Sequence, residues 1–218
     1  MKKIWNAEEK LRFERELLAQ GVRYIAGVDE VGRGPLAGPV VSAAVILPLD
    51  AASLIEGIDD SKKVKEAERE RLAALIRERA IAYAICEESS ETIDRINILE
   101  ATKQCMKRAV ERLQPPPDAV LIDGNFRIDI AFPQTNIIDG DALSYSIGAA
   151  SILAKVYRDA LMREYDRQYP QYGFAGHKGY GTAAHCAAIR EYGLCAIHRR
   201  TFTKKLSGGG AKNGPQST

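Results

Sequence analysis

Four carboxylates of this 218-residue chain share a placement that invites chemistry. Asp29 with the adjacent Glu30, then Asp123, then Asp141, each follow an apolar, strand-like run. Neighbouring carboxylates beside a buried strand repel one another and resist desolvation, and a divalent cation removes both costs. In α/β sheets ligand sites gather outside strand ends, and four acids converging there would overload a site without cations. Two Mg²⁺ or Mn²⁺ ions about 3.5–4 Å apart turn the same charges into ligands. One ion then activates water and the other stabilises the leaving oxygen, so no nucleophilic side chain is required. Oxygen donors without clustered His or Cys favour Mg²⁺ or Mn²⁺ over Zn²⁺. Successive side chains on a strand point to opposite faces, so bringing Asp29 and Glu30 to one ion calls for a kink at the strand end.

Directly after the acid pair comes Gly32-Arg33-Gly34, within a loop that also holds Pro35, Gly38 and Pro39. Such a loop offers a phosphate closely approaching backbone N–H groups and an arginine fork. Together these features read as a metal-dependent phosphodiester site. Each piece alone has a plainer reading. Asp123-Gly124 is a common turn pair, Asp141 suits a helix N-terminus, and an acid pair beside glycines is a short motif with a high false-positive rate. A nucleotide-hydrolase phosphate loop is disfavoured, because no Gly-Lys-Ser/Thr ending follows and Pro35 and Pro39 disrupt the helix such a loop feeds. A binding module without catalysis is the remaining alternative; it needs a basic surface and none of the four acids.

The elements that must carry these residues are legible in outline. Asn6-Ala7-Glu8-Glu9 forms a capping box, predicting a helix over residues 7–19 with Leu11, Leu17 and Leu18 inward and Gly21 at its end. Strands follow at 22–28 and 39–47, joined by a loop too short for a crossover and hence antiparallel. A helix is expected over 65–79 (Leu72, Leu75 and Ile76 inward), a strand over 80–86, and a short helix capped by Ser89 or Ser90 and reaching Ile96. Asn97 opens a helix to 113, which Pro115 to Pro117 stop. Strands at 119–122 and, more weakly, 135–138 precede a long helix over 144–167. Its first half is rich in Ser, Gly and Ala, which lets it pack close to a sheet. Residues 168–181 read as a loop, and Thr182 caps a helix to Tyr192 followed by Gly193. The fold class is α/β: a mixed sheet flanked by helices, with the later strands parallel. The expected organisation is a catalytic domain over 1–167, a C-terminal helical segment contacting substrate over 168–206, and a disordered tail over 207–218.

No apolar run is long enough to span a membrane, and the N-terminus lacks a signal-peptide core, so the expected setting is cytoplasmic. The four cysteines form no CxxC pair. His185-Cys186 with Cys195 and His198 offers four zinc donors, but in no familiar zinc spacing, and buried free thiols are the better reading. Net charge is only +2, yet between Lys155 and Lys205 ten Lys/Arg stand against four Asp/Glu, which suits a polyanionic partner. Solvated helix faces would give the same count.

The run Gly27-Val28-Asp29-Glu30-Val31-Gly32-Arg33-Gly34-Pro35-Leu36-Ala37-Gly38-Pro39-Val40 closely resembles the signature of the type 2 ribonucleases H, in particular the bacterial ribonuclease HII family. So do Asp60-Ser61-Lys62-Lys63, Leu121-Ile122-Asp123-Gly124, Gly140-Asp141-Ala142-Leu143-Ser144, Ala149-Ala150-Ser151-Ile152-Leu153-Ala154-Lys155-Val156 with Arg158-Asp159, His177-Lys178-Gly179-Tyr180-Gly181-Thr182, His185, and His198-Arg199-Arg200-Thr201-Phe202. The motifs stand in family order and cover about residues 22–203. The resemblance implies an RNase H-like fold and an Mg²⁺- or Mn²⁺-dependent endonuclease, acting as a monomer on RNA–DNA hybrids and on duplex DNA containing ribonucleotides. It implies incision 5′ of a single embedded ribonucleotide, leaving 3′-hydroxyl and 5′-phosphate ends. Asp29, Glu30, Asp123 and Asp141 match the family's metal-binding acids, Gly32, Arg33 and Gly34 its ribonucleotide-sensing loop, and Tyr180 its junction tyrosine. A 2′-hydroxyl is the group that separates RNA from DNA at one position, and an aromatic ring can stack on one nucleotide. Lys62, Lys63, Lys155 and Lys178 are candidate phosphate contacts. Asp159 is expected to serve structure or phosphate-side electrostatics. Gly148 and Thr201 depart from the family's usual alanine and serine, and neither is expected to touch a ligand.

Overall fold

The computed structural model describes residues 7–207. A 3₁₀ turn at Glu9–Leu11 runs into α1 (Arg12–Leu18), then β1 (Ile25–Val31), β2 (Val40–Ile46), α2 (Glu66–Arg79), β3 (Ala82–Glu88), α3 (Ser90–Ile96), α4 (Ile98–Glu111), β4 (Ala119–Asp123), β5 (Gln134–Ile137), α5 (Gly140–Leu143), α6 (Tyr145–Gln168), α7 (Phe174–His177), α8 (Ala183–Tyr192) and α9 (Arg200–Ser207). The capping signals act as the sequence implies. Ser89 accepts from the Thr92 amide, Asn97 from Leu99 and Glu100, Ser144 from Ile147, and Thr182 from His185.

The sheet order is β3-β2-β1-β4-β5. β1 and β2 are antiparallel, and β1–β4 and β4–β5 are parallel. β3 pairs antiparallel with β2 although a helix joins them, so β2 alone runs against the other four. On one face Val41, Ala43 and Val45 of β2 pack with Leu72 and Ile76 of α2 and Ala149 and Leu153 of α6. On the other, Val28, Ala44, Ile46 and Ile122 pack with Cys105, Met106 and Ala109 of α4. β2 is buried along its whole length, and its side chains alternate between the two cores, as the two-residue period of a strand requires. The small residues of α6 do bring it close to the sheet: a Cβ built on Gly27 of β1 would lie 2.1 Å from the Ser146 carbonyl carbon. A third cluster (Ala37, Met162, Tyr172, Phe174, Ile189, Ile197) ties the C-terminal segment to the loop after β1.

Four expectations change. β1 extends to Val31, so Asp29 and Glu30 lie within the strand. Leu18 is 40% exposed while Glu14 is fully buried; the two share a face one turn apart, and Leu18, the last residue of α1, lies where that face leaves the core. Residues 168–181 contain a 3₁₀ turn at Pro170–Tyr172 and α7 rather than only loop. Cys86 and Cys105 are buried, but Cys186 and Cys195 are only half-buried. Ser207 closes α9; the rest of the expected disordered tail, and Asn6 of the first capping box, lie outside the described residues.

Candidate active site

β1 and β4 run in parallel with Val28 opposite Ile122, so the next residue of each, Asp29 and Asp123, comes to the same sheet end. Asp29, Glu30 and Asp123 each offer a carboxylate oxygen within 4.8 Å of the others, the only such His/Cys/Asp/Glu group of three or more among the described residues. The convergence needs no break in the strand, because β1 stays paired with β2 through Glu30 and Val31. The Glu30 amide donates to Asp29 Oδ1 at 2.7 Å. Asp141 lies outside this trio, in the first turn of α5. The Gly140 amide beside it donates to Asp123 Oδ1 at 2.7 Å, and Lys62 Nζ stands 4.0 Å from Asp141 Oδ2. A side chain at Gly148 would come within 3.0 Å of the Asp141 carbonyl oxygen, so this glycine does adjoin a candidate ligand, contrary to expectation.

The acids are held at a cost. Burial, followed by the charges of Glu30 and Asp123, raises the Asp29 carboxyl well above the usual range. Burial also raises Glu30, against the pull of Arg33, and raises Asp123, against the amides of Gly140 and Asp141. Asp141 is lifted to about 6 by burial and then by Asp60 and Asp123. Burial works against a charged Lys62, but the carboxylates of Asp141 and Asp60 outweigh it and push that group up. Glu30 Oε2 is buried with no hydrogen-bond partner. An orphaned carboxylate oxygen, converging acids and an all-oxygen donor set fit a hard divalent cation. Ser151, whose hydroxyl donates to Ser61 at 2.9 Å, lies beside Asp29 and works against the rise of its carboxyl.

Beside the acids, Arg33 pairs with Glu30 at 3.3 Å and lies over the Phe126 ring at 5.6 Å. Gly32 has φ +93° and abuts Arg158, so the fold itself demands glycine there. Gly34 differs: its φ is ordinary, and a Cβ would meet only Tyr180 Cε1 at 3.6 Å. Nothing among the described residues excludes a side chain at Gly34; the open space beside it faces the 46%-exposed Tyr180 ring. Three histidines support that tyrosine. The Cys195 amide donates to His198 Nδ1, His198 Nε2 to His185 Nε2 at 3.0 Å, and His185 Nδ1 to the Tyr180 carbonyl at 2.9 Å. The hydrogen bonds fix each tautomer, and His177 stacks on His185 at 4.4 Å. Burial, then His185, pushes His198 down to about 4, so its ring is neutral. The histidines form a support, with no zinc cage among the described residues.

Of the candidate phosphate lysines, Lys62 faces the acids. Lys63 pairs with Asp59 and Asp60, Lys155 with Asp159 at 2.6 Å, and Lys178 donates to the Ala175 carbonyl. Asp159 also meets Arg69 at 3.5 Å, which favours the structural of the two roles expected of it. Reading the sequence assigned no role to Arg158, Arg199 or Glu14, all buried. A signal existed for Arg158: it sits at four-residue spacing with Ala150, Ala154 and Met162, on the buried face of α6.

Comparison with known proteins follows the same lines. A family model described as Ribonuclease HII matches residues 26–205. The ribonuclease HII of Ruminiclostridium cellulolyticum is 54% identical over 199 residues, 91% of this chain and 77% of that protein. The ribonuclease H2 of Pyrococcus horikoshii superposes with TM-score 0.71 at 24% identity, covering 84% of this chain and 97% of that one. Bst-RNase HIII in complex with Mn²⁺ gives 0.67 at 22% identity, covering 84% and 69%. At these identities the structural matches speak to an RNase H-like fold.

Proposed function

Because the chain belongs to the ribonuclease HII family and is an RNase H endonuclease, we propose that it cuts the RNA strand of RNA–DNA hybrids and incises duplex DNA 5′ of single ribonucleotides, leaving 3′-hydroxyl and 5′-phosphate ends. The observation that carries this reading is the convergence of Asp29, Glu30 and Asp123 within 4.8 Å, with one Glu30 oxygen left unpartnered. Asp29, Glu30 and Asp123 would hold divalent cations, Mg²⁺ or Mn²⁺, with Asp141 completing the set; Mn²⁺ in Bst-RNase HIII supports the choice. When bound, such ions supply an activated water and neutralise charge at the scissile phosphate.

The remaining residues position the substrate. Arg33, paired with Glu30 here, is placed to turn to a phosphate once cations satisfy that carboxylate. Gly34 leaves room for a sugar, and its amide for the 2′-oxygen. The exposed Tyr180 ring, 3.6 Å from the position of a Gly34 Cβ, stacks on the sugar or base beside the junction. Lys62 meets the backbone phosphate next to the acids. The segment over 168–206 carries Tyr180 and supplies this substrate shelf to the domain over 1–167. No described helix is long and apolar enough to cross a membrane, and we assign a cytoplasmic monomer. The test is a duplex carrying one ribonucleotide, incubated with the protein and Mg²⁺ or Mn²⁺. A nick 5′ of the ribonucleotide, abolished by EDTA, is expected; binding without a nick under either ion would leave only a binding module.

A further inference from the structure

The loop after β1 is held by two buried guanidinium groups from distant parts of the chain. Arg199, just before α9, donates through Nε to the Gly38 carbonyl at 3.0 Å, and through its two terminal nitrogens to Arg33 at 2.8 Å and Gly32 at 2.5 Å. Arg158, on α6, donates to the carbonyls of Pro39 (3.0 Å), Ala37 (3.2 Å) and Lys178 (3.0 Å). Arg158 is 1% exposed and Arg199 0%. Burial lowers them to about 10 and about 9, so both stay charged at neutral pH. Neither forms an ion pair within 4 Å among the described residues. Burying a guanidinium without a carboxylate is costly, and here every donated bond goes to backbone carbonyls. Five of those carbonyls belong to residues 32–39. The sixth is that of Lys178, two residues before Tyr180, in the left-handed region at φ +53°.

The peptide bonds of this loop are trans, so the carbonyl of one residue and the N–H of the next point in opposite directions. With the Gly32 and Arg33 carbonyls turned onto Arg199, the amides of Arg33 and Gly34 point away from it. Neither has an acceptor among the described residues. Two further amides of the loop are tied down, Leu36 to the Gly179 carbonyl and Gly38 to that of Ile197. A Cβ at Gly32 would strike Arg158 Nε at 2.2 Å, so that glycine is glycine because of the clamp.

We propose that Arg158 and Arg199 are positioning residues for ribonucleotide discrimination: by gripping the carbonyls of residues 32–39 and Lys178, they present the Arg33 and Gly34 amides to the ribonucleotide's 2′-oxygen and lock the Tyr180 shelf in the same frame. This rests on the functional reading above. The test compares wild type, Arg199→Lys and Arg158→Lys on two duplexes that differ only by one 2′-hydroxyl. Binding is measured with Ca²⁺ in place of the catalytic ion, and nicking with Mg²⁺. Lysine keeps the charge but cannot span three carbonyls. Each variant should lower the ribo-over-deoxy binding ratio about tenfold while binding of the all-deoxy duplex stays within about twofold of wild type. Equal loss on both duplexes, or an unchanged ratio, overturns the proposal.

Amide protection in the wild-type protein provides a second reading independent of variant folding. The Arg33 and Gly34 amides should exchange freely in the unbound protein and become protected by the ribonucleotide duplex alone. Protection without ligand, or equal protection by both duplexes, overturns the proposal. A wild-type chain that does not nick removes the functional reading itself; one that nicks while the variants keep its ratio removes only the clamp.

Discussion

Removing one negative charge from the acid cluster should make the cation-free protein more stable. Take Asp141→Asn. Burial, then Asp60 and Asp123, lifts the Asp141 carboxyl from 3.8 to about 6. A folded-state value above the unfolded one means that its stabilising contribution is full below about pH 4 and is lost as pH rises through about 6. Roughly two pKa units correspond to about 3 kcal/mol at full strength. The group reaches solvent, and screening reduces this to on the order of 1–2 kcal/mol. For a chain of this size each kcal/mol moves the melting temperature by about 2–4 °C, so the variant should melt about 2–8 °C above wild type in EDTA at neutral pH. Near pH 4 the difference should vanish. Saturating Mn²⁺ stabilises whatever binds it in the folded state, so wild type should gain more than the variant and the gap should close or invert. Calorimetric melts at both pH values, with EDTA and with Mn²⁺, read all four conditions. A variant that melts at or below wild type in EDTA at neutral pH, or that gains as much from Mn²⁺, would refute the reasoning.

Three further outcomes follow from the packing. Gly34→Ala has no steric neighbour closer than the Tyr180 ring at 3.6 Å; its melting temperature should stay within a few degrees of wild type while nicking at a single ribonucleotide falls at least about tenfold. Gly27→Ala forces a Cβ to 2.1 Å from the Ser146 backbone, and denaturant unfolding should show a loss of about 3 kcal/mol or more. Glu14→Ala removes the acceptor of the Ser144 hydroxyl (2.6 Å) and the Ser146 amide (2.9 Å); leaving those buried donors unpaired should cost about 2–3 kcal/mol, read in the same denaturant experiment.

How much was legible depended on whether the signal was local. Asp29-Glu30 stood out because an apolar run meets glycine and proline punctuation there. The caps at Asn97, Ser144 and Thr182 were readable because each acts within three residues. The small-residue half of α6 announced a close packing that Gly27 completes. The buried charges were hidden, because the default reading of Arg158, Arg199 or Glu14 is a solvated side chain, and only the tertiary arrangement supplies the carbonyls and hydroxyls that repay burial. Leu18 is exposed because it ends α1 one turn beyond the buried Glu14 on the same face, and periodicity marks the face but not where the core stops. α7 is held by Phe174 in the core and by left-handed residues at Gly173 and Lys178, which its four-residue pattern could not reveal. The convergence of Asp29 with Asp123 came from strand register, while the place of Asp141 outside the trio depends on the α5 turn.

The most direct test of the central claim is the position of a bound cation. Anomalous diffraction from crystals grown with Mn²⁺ should show a peak bonded, at about 2.0–2.4 Å, to carboxylate oxygens of Asp29, Glu30 and Asp123. No peak at that trio, or manganese held only by other residues such as His185, Cys195 and His198, would contradict it.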